Sequence, residues 1–562
     1  MLTSESPRGI ARYIPILGWL PTYQRDWIQA DAVAGLTAAA VVIPQAMAYA
    51  SIAGLPVEAG LYVALVPMLI YALLGTSRPL SVSATSTIAM LTASELARLT
   101  DTTDPYALLA PAATLAVLVG GFLVLAALLR LGFVANFISL PVLTGFKAGI
   151  GLVIFVGQLG KVLGIPVEKG PFFQTIASVI RGLDSIHWLT LGMSLVTLAI
   201  LIGLPRLKVR ISAPLVAVAA GIALSALFTL DTRGVELVGE IPAGLPSLSF
   251  PDLSLMGQLW PGALGIALMS FTESIAAARS FQKHGEPDTD ANQELFALGM
   301  ANIGGGLSQA FPAGGGTSQT AVNDQAGAKS QVAELVTAAT VVVTLLFLSG
   351  LIGRMPQATL GALVLVAAAG LIKPDEFRKI GRIRVHELAW AIAALAGVVL
   401  LGTLEGILVA VVLSMLDLVN QANHPRAYEV RRKTGTDVFR PAGDHPDDEA
   451  FPGLLILRVE GRLYFANMPR VREQLRALVN QRQPKVIALD CSAIPDIEYT
   501  ALGQLTQAEE RLRDAGITLW LAALNPEALR VVESAPLGRT LGHERMFFNL
   551  EQAVTAYQTM EE

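Results

Sequence analysis

The chain has 562 residues, of which 53% are hydrophobic and only 15% charged, and its mean hydropathy is +0.55. Soluble domains carry roughly 25% charged residues, so the composition excludes an ordinary soluble enzyme and describes a polytopic membrane protein. The single cysteine, Cys491, excludes a disulfide framework or multi-cysteine metal site, the six histidines show no paired ligand spacing, and the net charge of −5 merely sums a sparsely charged membrane part and a charge-rich tail.

Residues 1–30 have no continuous apolar core, because Pro15, Gly18 and Pro21 interrupt it. They are expected to form an amphipathic lead-in on the cytoplasmic membrane surface, with a disordered tail as the alternative. From residue 31 to 423, apolar stretches of the length that crosses a bilayer recur near 32–50, 58–75, 107–129, 135–158, 187–204, 211–230, 258–278, 292–310, 331–353, 357–372, 386–401 and 403–420. Two more are too short or broken to cross alone, within "RPLSVSATSTIAMLTASELARL" (78–99) and "FPAGGGTSQTAVNDQAGAK" (311–329). Each is third in its half of the chain. Interruptions at matching places point to an inverted repeat of seven plus seven segments, with a site between the halves.

Basic residues favour one side of this arrangement. With a cytoplasmic N-terminus the inward loops hold Arg78, Arg130, Arg206, Lys208, Arg210, Arg279, Lys283, Lys329, Lys373, Arg378, Lys379, Arg382 and Arg384; the outward ones hold mainly Arg98, Lys161, Lys169, Arg181, Arg233 and Arg354. Both termini are therefore expected in the cytoplasm. Residues 424–452 read as a polar linker, and 453–562 alternate strand and amphipathic-helix patterns, as in "KVIALDCS" and "YTALGQLTQAEERLRDAG". The tail is expected to be a small cytoplasmic α/β domain.

The first span breaks at Gly54 and Pro56, which places Gln45 about two turns below the break, near mid-membrane. Gln45 is either a ligand contact or a polar contact that joins helices. Gln45 would face the short third segment, and the extended pieces "PLSVSATST" and "FPAGGGTSQT" would supply the other half of the site, since non-helical backbone at that depth needs protein or a water-filled cavity around it. The helices that follow would aim two N-termini at the bilayer centre, an anion site of free N–H groups and helix dipoles. Gly314, Gly315 and Gly316 would let a ligand approach the backbone, or would serve only close packing.

Glu273 lies deep in a span, where a carboxylate usually marks a substrate or ion pathway and burial favours its neutral form. It is the candidate coupling residue, with a structural carboxyl as the alternative. Lys147, also in a span, would add positive potential, pair with a carboxylate or snorkel. Glu294, Glu334 and Glu405 lie nearer span ends and are assigned interfacial roles. No nucleotide or hydrolase motif appears; "GGGLSQAFPAGGGTS" lacks the lysine of a phosphate-binding loop. No cofactor, metal or nucleic-acid partner is expected.

"IPQAMAYASIAGLPVEAGLY" resembles the first-span signature of the SulP anion permeases, whose animal members form solute carrier family 26. "DCSAIPDIEYTALGQL" resembles the core of the STAS domain, named for sulfate transporters and anti-sigma factor antagonists. The resemblance covers nearly the whole chain. It implies two inverted seven-segment repeats arranged as core and gate domains, a cytoplasmic STAS domain, an elevator-like movement and a homodimer in a bacterial-type inner membrane. It places the substrate at Gln45, Tyr49, Ser83, Thr85, Thr87, Gly315, Gly316, Thr317 and Ser318, with Glu273 as coupling residue.

Two departures bear on the cargo. Some sodium-coupled relatives have aspartate at Glu273 and threonine at Ala277, so this chain points to proton coupling. Many relatives have arginine at Gln319, so sulfate, bicarbonate, chloride and a dicarboxylate all stay open. An uncoupled or sodium-coupled exchanger or channel, a nucleobase permease and a membrane-anchored signalling platform are the rivals. Thr500 stands near the position of the phosphorylatable serine of the antagonists, so it is either a regulatory site for a cytoplasmic protein partner or a helix cap.

Overall fold

The computed structural model describes residues 14–99, 102, 104–137, 139–168, 170–207, 212–239, 241–242, 244–282, 288–443, 445 and 447–561. Expectations placed on residues 1–13, Lys169, Lys208, Arg210 and Lys283 lie outside the described residues. The chain divides into two compact units, Met1–Ser414 and Met415–Glu562.

The expected segments form in order, the last of them running across the division at Ser414. Segment 1 is Trp27–Ala53, segment 2 Val57–Leu74, segment 4 Leu109–Leu128, segment 5 Leu140–Leu163, segment 6 Trp188–Gly203 and segment 7 Ala213–Phe228. Segment 8 is Met256–Ser280, segment 9 Ala291–Gly306, segment 11 Val332–Ile352, segment 12 Gln357–Leu371, segment 13 Val385–Leu401 and segment 14 Thr403–Ala422. Segments 3 and 10 are the broken ones. Strand β1, Val82–Ser83, leads into helix Ser86–Leu99, and strand β2, Gly314–Gly315, into helix Thr317–Gln325.

Local chemistry explains the ends. Gly54 closes segment 1 in the left-handed conformation, φ 77°, its N–H turned back to Ala50 and Ser51 carbonyls, which a side chain would resist. Pro44 inside that segment cannot donate to the carbonyl of Ala40; Ser212 Oγ at the head of segment 7 does so instead, at 3.1 Å. Asp290 opens segment 9 by accepting from the N–H groups of Asn292 and Gln293.

Packing repeats with the halves exchanged. Segment 4 packs on 8 as segment 11 packs on 1; segment 9 packs on 4 as 2 packs on 11; segment 5 packs on 13 as 12 packs on 6. Segments 1–4 and 8–11 thus form one bundle, the core, and segments 5–7 and 12–14 the other, the gate. Segments 4 and 9 approach at Gly120 and Gly299, where a Cβ on Gly120 would lie 2.5 Å from the facing carbonyl. Strands β1 and β2 join antiparallel in the core, Val82 opposite Gly315 and Ser83 opposite Gly314. The two interrupted segments therefore meet directly.

The second unit is a six-stranded sheet with helices. Its strands are β3 Arg426–Arg432, β4 Phe439–Pro441, β5 Leu454–Glu460, β6 Val486–Asp490, β7 Thr518–Ala522 and β8 Met546–Phe547, in the order β4-β3-β5-β6-β7-β8. Strands β5 to β8 run parallel, each joined to the next through helix. The stretch expected as a linker corrects that expectation: within it Arg426–Arg432 and Phe439–Pro441 are the antiparallel strands β3 and β4. Their charges, which read as linker composition, are paired in the fold, Arg432 with Glu449 and Glu551 at 2.7 Å each, and Arg440 with Asp448.

Candidate anion-binding site

Antiparallel pairing of β1 and β2 brings the starts of helices Ser86–Leu99 and Thr317–Gln325 together in the core. Among the described residues no protein acceptor takes up the N–H groups of Ser86, Thr87, Thr317 or Ser318. These are orphan donors at the positive ends of two helices. Thr317 and Ser318 are exposed, so ligand can reach them.

Glu273 of segment 8 sits beside them, 6% exposed. It accepts from Thr87 Oγ1 at 3.0 Å and Thr85 Oγ1 at 3.4 Å, and Lys147 Nζ of segment 5 lies 3.3 Å away. Of the readings open for Lys147, the structure takes pairing with a carboxylate. Tyr49 is buried against Ser86, within the field of Glu273, and Gln45 lies one turn away on the same face of segment 1. Gln45 Oε1 is buried with no hydrogen-bond partner among the described residues. A buried amide oxygen without a donor calls for a water or a ligand O–H, and the Nε2 amide N–H is the part of this side chain that could donate to an anion.

Other expected site residues are built into the scaffold. Ser83 is fully buried and donates to Gln319 Oε1 at 2.5 Å. The Gly315 N–H donates to Ser274 Oγ at 2.7 Å and the Gly316 N–H to the Ser81 carbonyl at 3.0 Å, so neither faces a ligand. Gly315 serves packing: a Cβ there would lie 2.8 Å from Ser274 Cα. Gln319, where relatives of the resembled family carry arginine, spends its amide on Ser83 and the Ala84 carbonyl.

Residues outside the expected set hold this geometry. Asn302 accepts from the Ala313 N–H at 2.8 Å and donates to the Ala313 carbonyl at 3.2 Å, and Ser270 donates to the same carbonyl at 2.7 Å. Ser270 and Ser274 lie one turn apart on segment 8, a polar stripe that could have flagged them. Glu294 and Glu334 correct the interfacial assignment, since both are fully buried. Glu294 accepts from Tyr71 and twice from Thr76. Thr500 is the exposed second residue of helix Tyr499–Asp514, whose cap residue is Glu498, so it does not cap that helix.

With this geometry in place, likeness to known proteins is informative. The family model described as the sulfate permease family matches residues 28–395, and the STAS domain model matches residues 445–553. The chain belongs to the sulfate permease family. A probable sulfate transporter of Mycobacterium tuberculosis is 38% identical over 552 residues, covering 96% of this chain and 98% of that one. The chloroplastic sulfate transporter 4.1 of Arabidopsis thaliana is 29% identical, over 96% of this chain and 82% of its own. The solved structure of SLC26A9 superposes with a TM-score of 0.89 at 25% identity, over 98% of this chain and 93% of that chain. The transmembrane domain of the cyanobacterial bicarbonate transporter BicA gives 0.63 at 25%, over 69% and 98%. This sulfate permease family member is thus a multi-pass membrane transporter of an anion, not an enzyme, with a C-terminal STAS domain.

Proposed function

We propose that this permease takes up a small anion, sulfate before bicarbonate, chloride or a dicarboxylate, by proton symport. The observation that carries the proposal is the Lys147–Glu273 ion pair beside two orphaned helix N-termini. With Glu273 ionised, the lysine charge is spent on the carboxylate. A proton on Glu273 releases Lys147, which with the helix N–H groups of Ser86, Thr87, Thr317 and Ser318 and the Gln45 amide then holds the anion. Proton and anion thus enter together. Lys147 belongs to the gate and Glu273 to the core, so an elevator-like slide of core against gate carries the carboxylate past its partner and alternates access. The names of the relatives favour sulfate. We place the chain in a bacterial inner membrane as a homodimer, both termini cytoplasmic.

Uptake into proteoliposomes of labelled sulfate, bicarbonate, chloride, fumarate and succinate, under an inward proton or sodium gradient, tests this for wild type and Glu273→Gln. Proton-driven accumulation of sulfate, abolished by the substitution, is expected. Sodium-driven accumulation, or concentration of substrate by the variant, overturns it. The same ion pair supports a second reading, an uncoupled exchanger in which Lys147 keeps Glu273 neutralised without a proton; trans-anion exchange with no gradient dependence is its signature.

A further inference from the structure

Glu334, third residue of segment 11, is fully buried and is used by nothing in the transport reading above. Its two oxygens accept from neutral donors only, Ser81 Oγ at 3.0 Å and Asn323 Nδ2 at 2.9 Å. Among the described residues no cation comes within salt-bridge distance of it. Asn323 stands in the last turn of helix Thr317–Gln325, the negative end of that helix. The charged groups on the elements around it do not compensate it either. Asp31 of segment 1 is bound by Tyr23, Ser330 and the Lys329 N–H; Tyr71 of segment 2 donates to Glu294 of segment 9; Arg78 lies over the Trp27 ring; Asp324 adds a further carboxylate on the short helix, and the Lys329 side chain is exposed. A buried carboxylate in such surroundings is costly as an anion.

We propose that Glu334 is a proton-binding site distinct from Glu273, whose occupancy is transmitted through Ser81 and Asn323 to the anion site. The wiring is short. Ser81 precedes β1, its carbonyl accepts from the Gly316 N–H at 3.0 Å, and its N–H donates to Thr320 Oγ1 at 3.1 Å. Ser81 thus holds both interrupted segments. Asn323 Nδ2 also donates to the Pro79 carbonyl at 3.2 Å, while Asn323 Oδ1 is buried without a partner among the described residues. A protonated Glu334 needs an acceptor for its O–H. Turning the Asn323 amide presents Oδ1 to that proton and withdraws Nδ2 from Pro79, which frees the turn that leads into β1. Ionised Glu334 thus has a donor on each oxygen and protonated Glu334 gains an acceptor at the expense of the Asn323–Pro79 bond, so the two protonation states anchor β1 differently.

The inference rests on proton-coupled uptake as proposed above, but its first test needs no transport. Infrared pH-difference spectra of the reconstituted full chain should show a buried carboxylic C=O band that titrates in wild type and Glu273→Gln and is absent in Glu334→Gln, whose amide can donate to Asn323 Oδ1 as the protonated acid would. Ser81→Ala, which removes a donor to the ionised form, should move the titration of that band to higher pH. The second test is labelled-sulfate uptake with an internal pH dye, in which Glu334→Gln should carry one proton fewer per anion than wild type. A band that persists unchanged in Glu334→Gln, a midpoint unmoved by Ser81→Ala, or an unchanged proton-to-sulfate ratio overturns the proposal. Concentrative uptake that survives in Glu273→Gln would instead sink the Glu273 reading, and the infrared result for Glu334 would stand apart from it.

Discussion

Lys147 Nζ in the gate lies 3.3 Å from Glu273 Oε1 in the core, so an ion pair bridges the two bundles beside the site where the interrupted segments meet. Removing one partner strands the other. Lys147→Met leaves a carboxylate that is 6% exposed with hydroxyls alone, at a cost of about 3 kcal/mol, the lower end for a broken buried pair because the lysine side chain is 26% exposed. Glu273→Gln with Lys147→Met should recover most of that stability while concentrative uptake stays lost. Denaturation of the four proteins in a double-mutant cycle measures the coupling; strictly additive losses would mean the pair contributes nothing.

Gln45→Ala separates binding from folding. The Gln45 side chain has no protein hydrogen bond among the described residues, so truncation forfeits none, and the unfolding temperature should stay near that of wild type. If the amide contacts the anion, the KM for uptake should rise about tenfold, the equivalent of ~1.4 kcal/mol. An unchanged KM with a lowered unfolding temperature would make Gln45 a helix-joining residue instead.

How much of this was legible in the chain follows from what each signal measures. Gly54 and Pro56 close together end a helix, and hydroxyl-rich runs at matching places in two halves mark interrupted segments, so the repeat could be read directly, whereas the antiparallel pairing of β1 with β2 could not. Glu273 stood out because hydropathy reports depth. Hydropathy says nothing of what packs over a helix end, and this is why Glu294 and Glu334 were assigned to interfaces and are in fact sealed. Gly315 was expected to admit a ligand, yet glycine is as necessary where backbone meets backbone, and here it meets Ser274. Strand β3 escaped notice because "RAYEVRR" buries Val430 but keeps its charges in ion pairs that composition cannot show.

Asn302 was not visible as a site residue, and its substitution should be costly. It is fully buried and satisfies both the N–H and the carbonyl of Ala313, immediately before β2. Asn302→Ala leaves that N–H without an acceptor in a sealed interior, a loss of about 3 kcal/mol. Asn302→Asp keeps the acceptor and should lose less stability. Uptake should fall with the displacement of β2. Thermal unfolding of the two variants provides the check; equal stability of Asn302→Ala and wild type would show that Ala313 finds another partner.

Acid should loosen the β3–β4 hairpin before neutral conditions do. Hydrogen bonds from Arg440 to both oxygens of Asp448, with Nη2 to Oδ1 at 2.6 Å, hold this carboxyl below the ordinary aspartate range. A carboxyl whose pKa is lower folded than unfolded contributes stability that is complete above the unfolded value and is lost as pH falls through the folded one. Amide hydrogen exchange of Arg426–Arg432 and Phe439–Pro441, corrected for intrinsic rates, should therefore lose protection on acidification through the aspartate range. Asp448→Asn cannot titrate, so it should begin with less protection at neutral pH and lose no more in acid. A wild-type hairpin whose protection is flat with pH would mean that the Arg440 clamp contributes nothing to its stability.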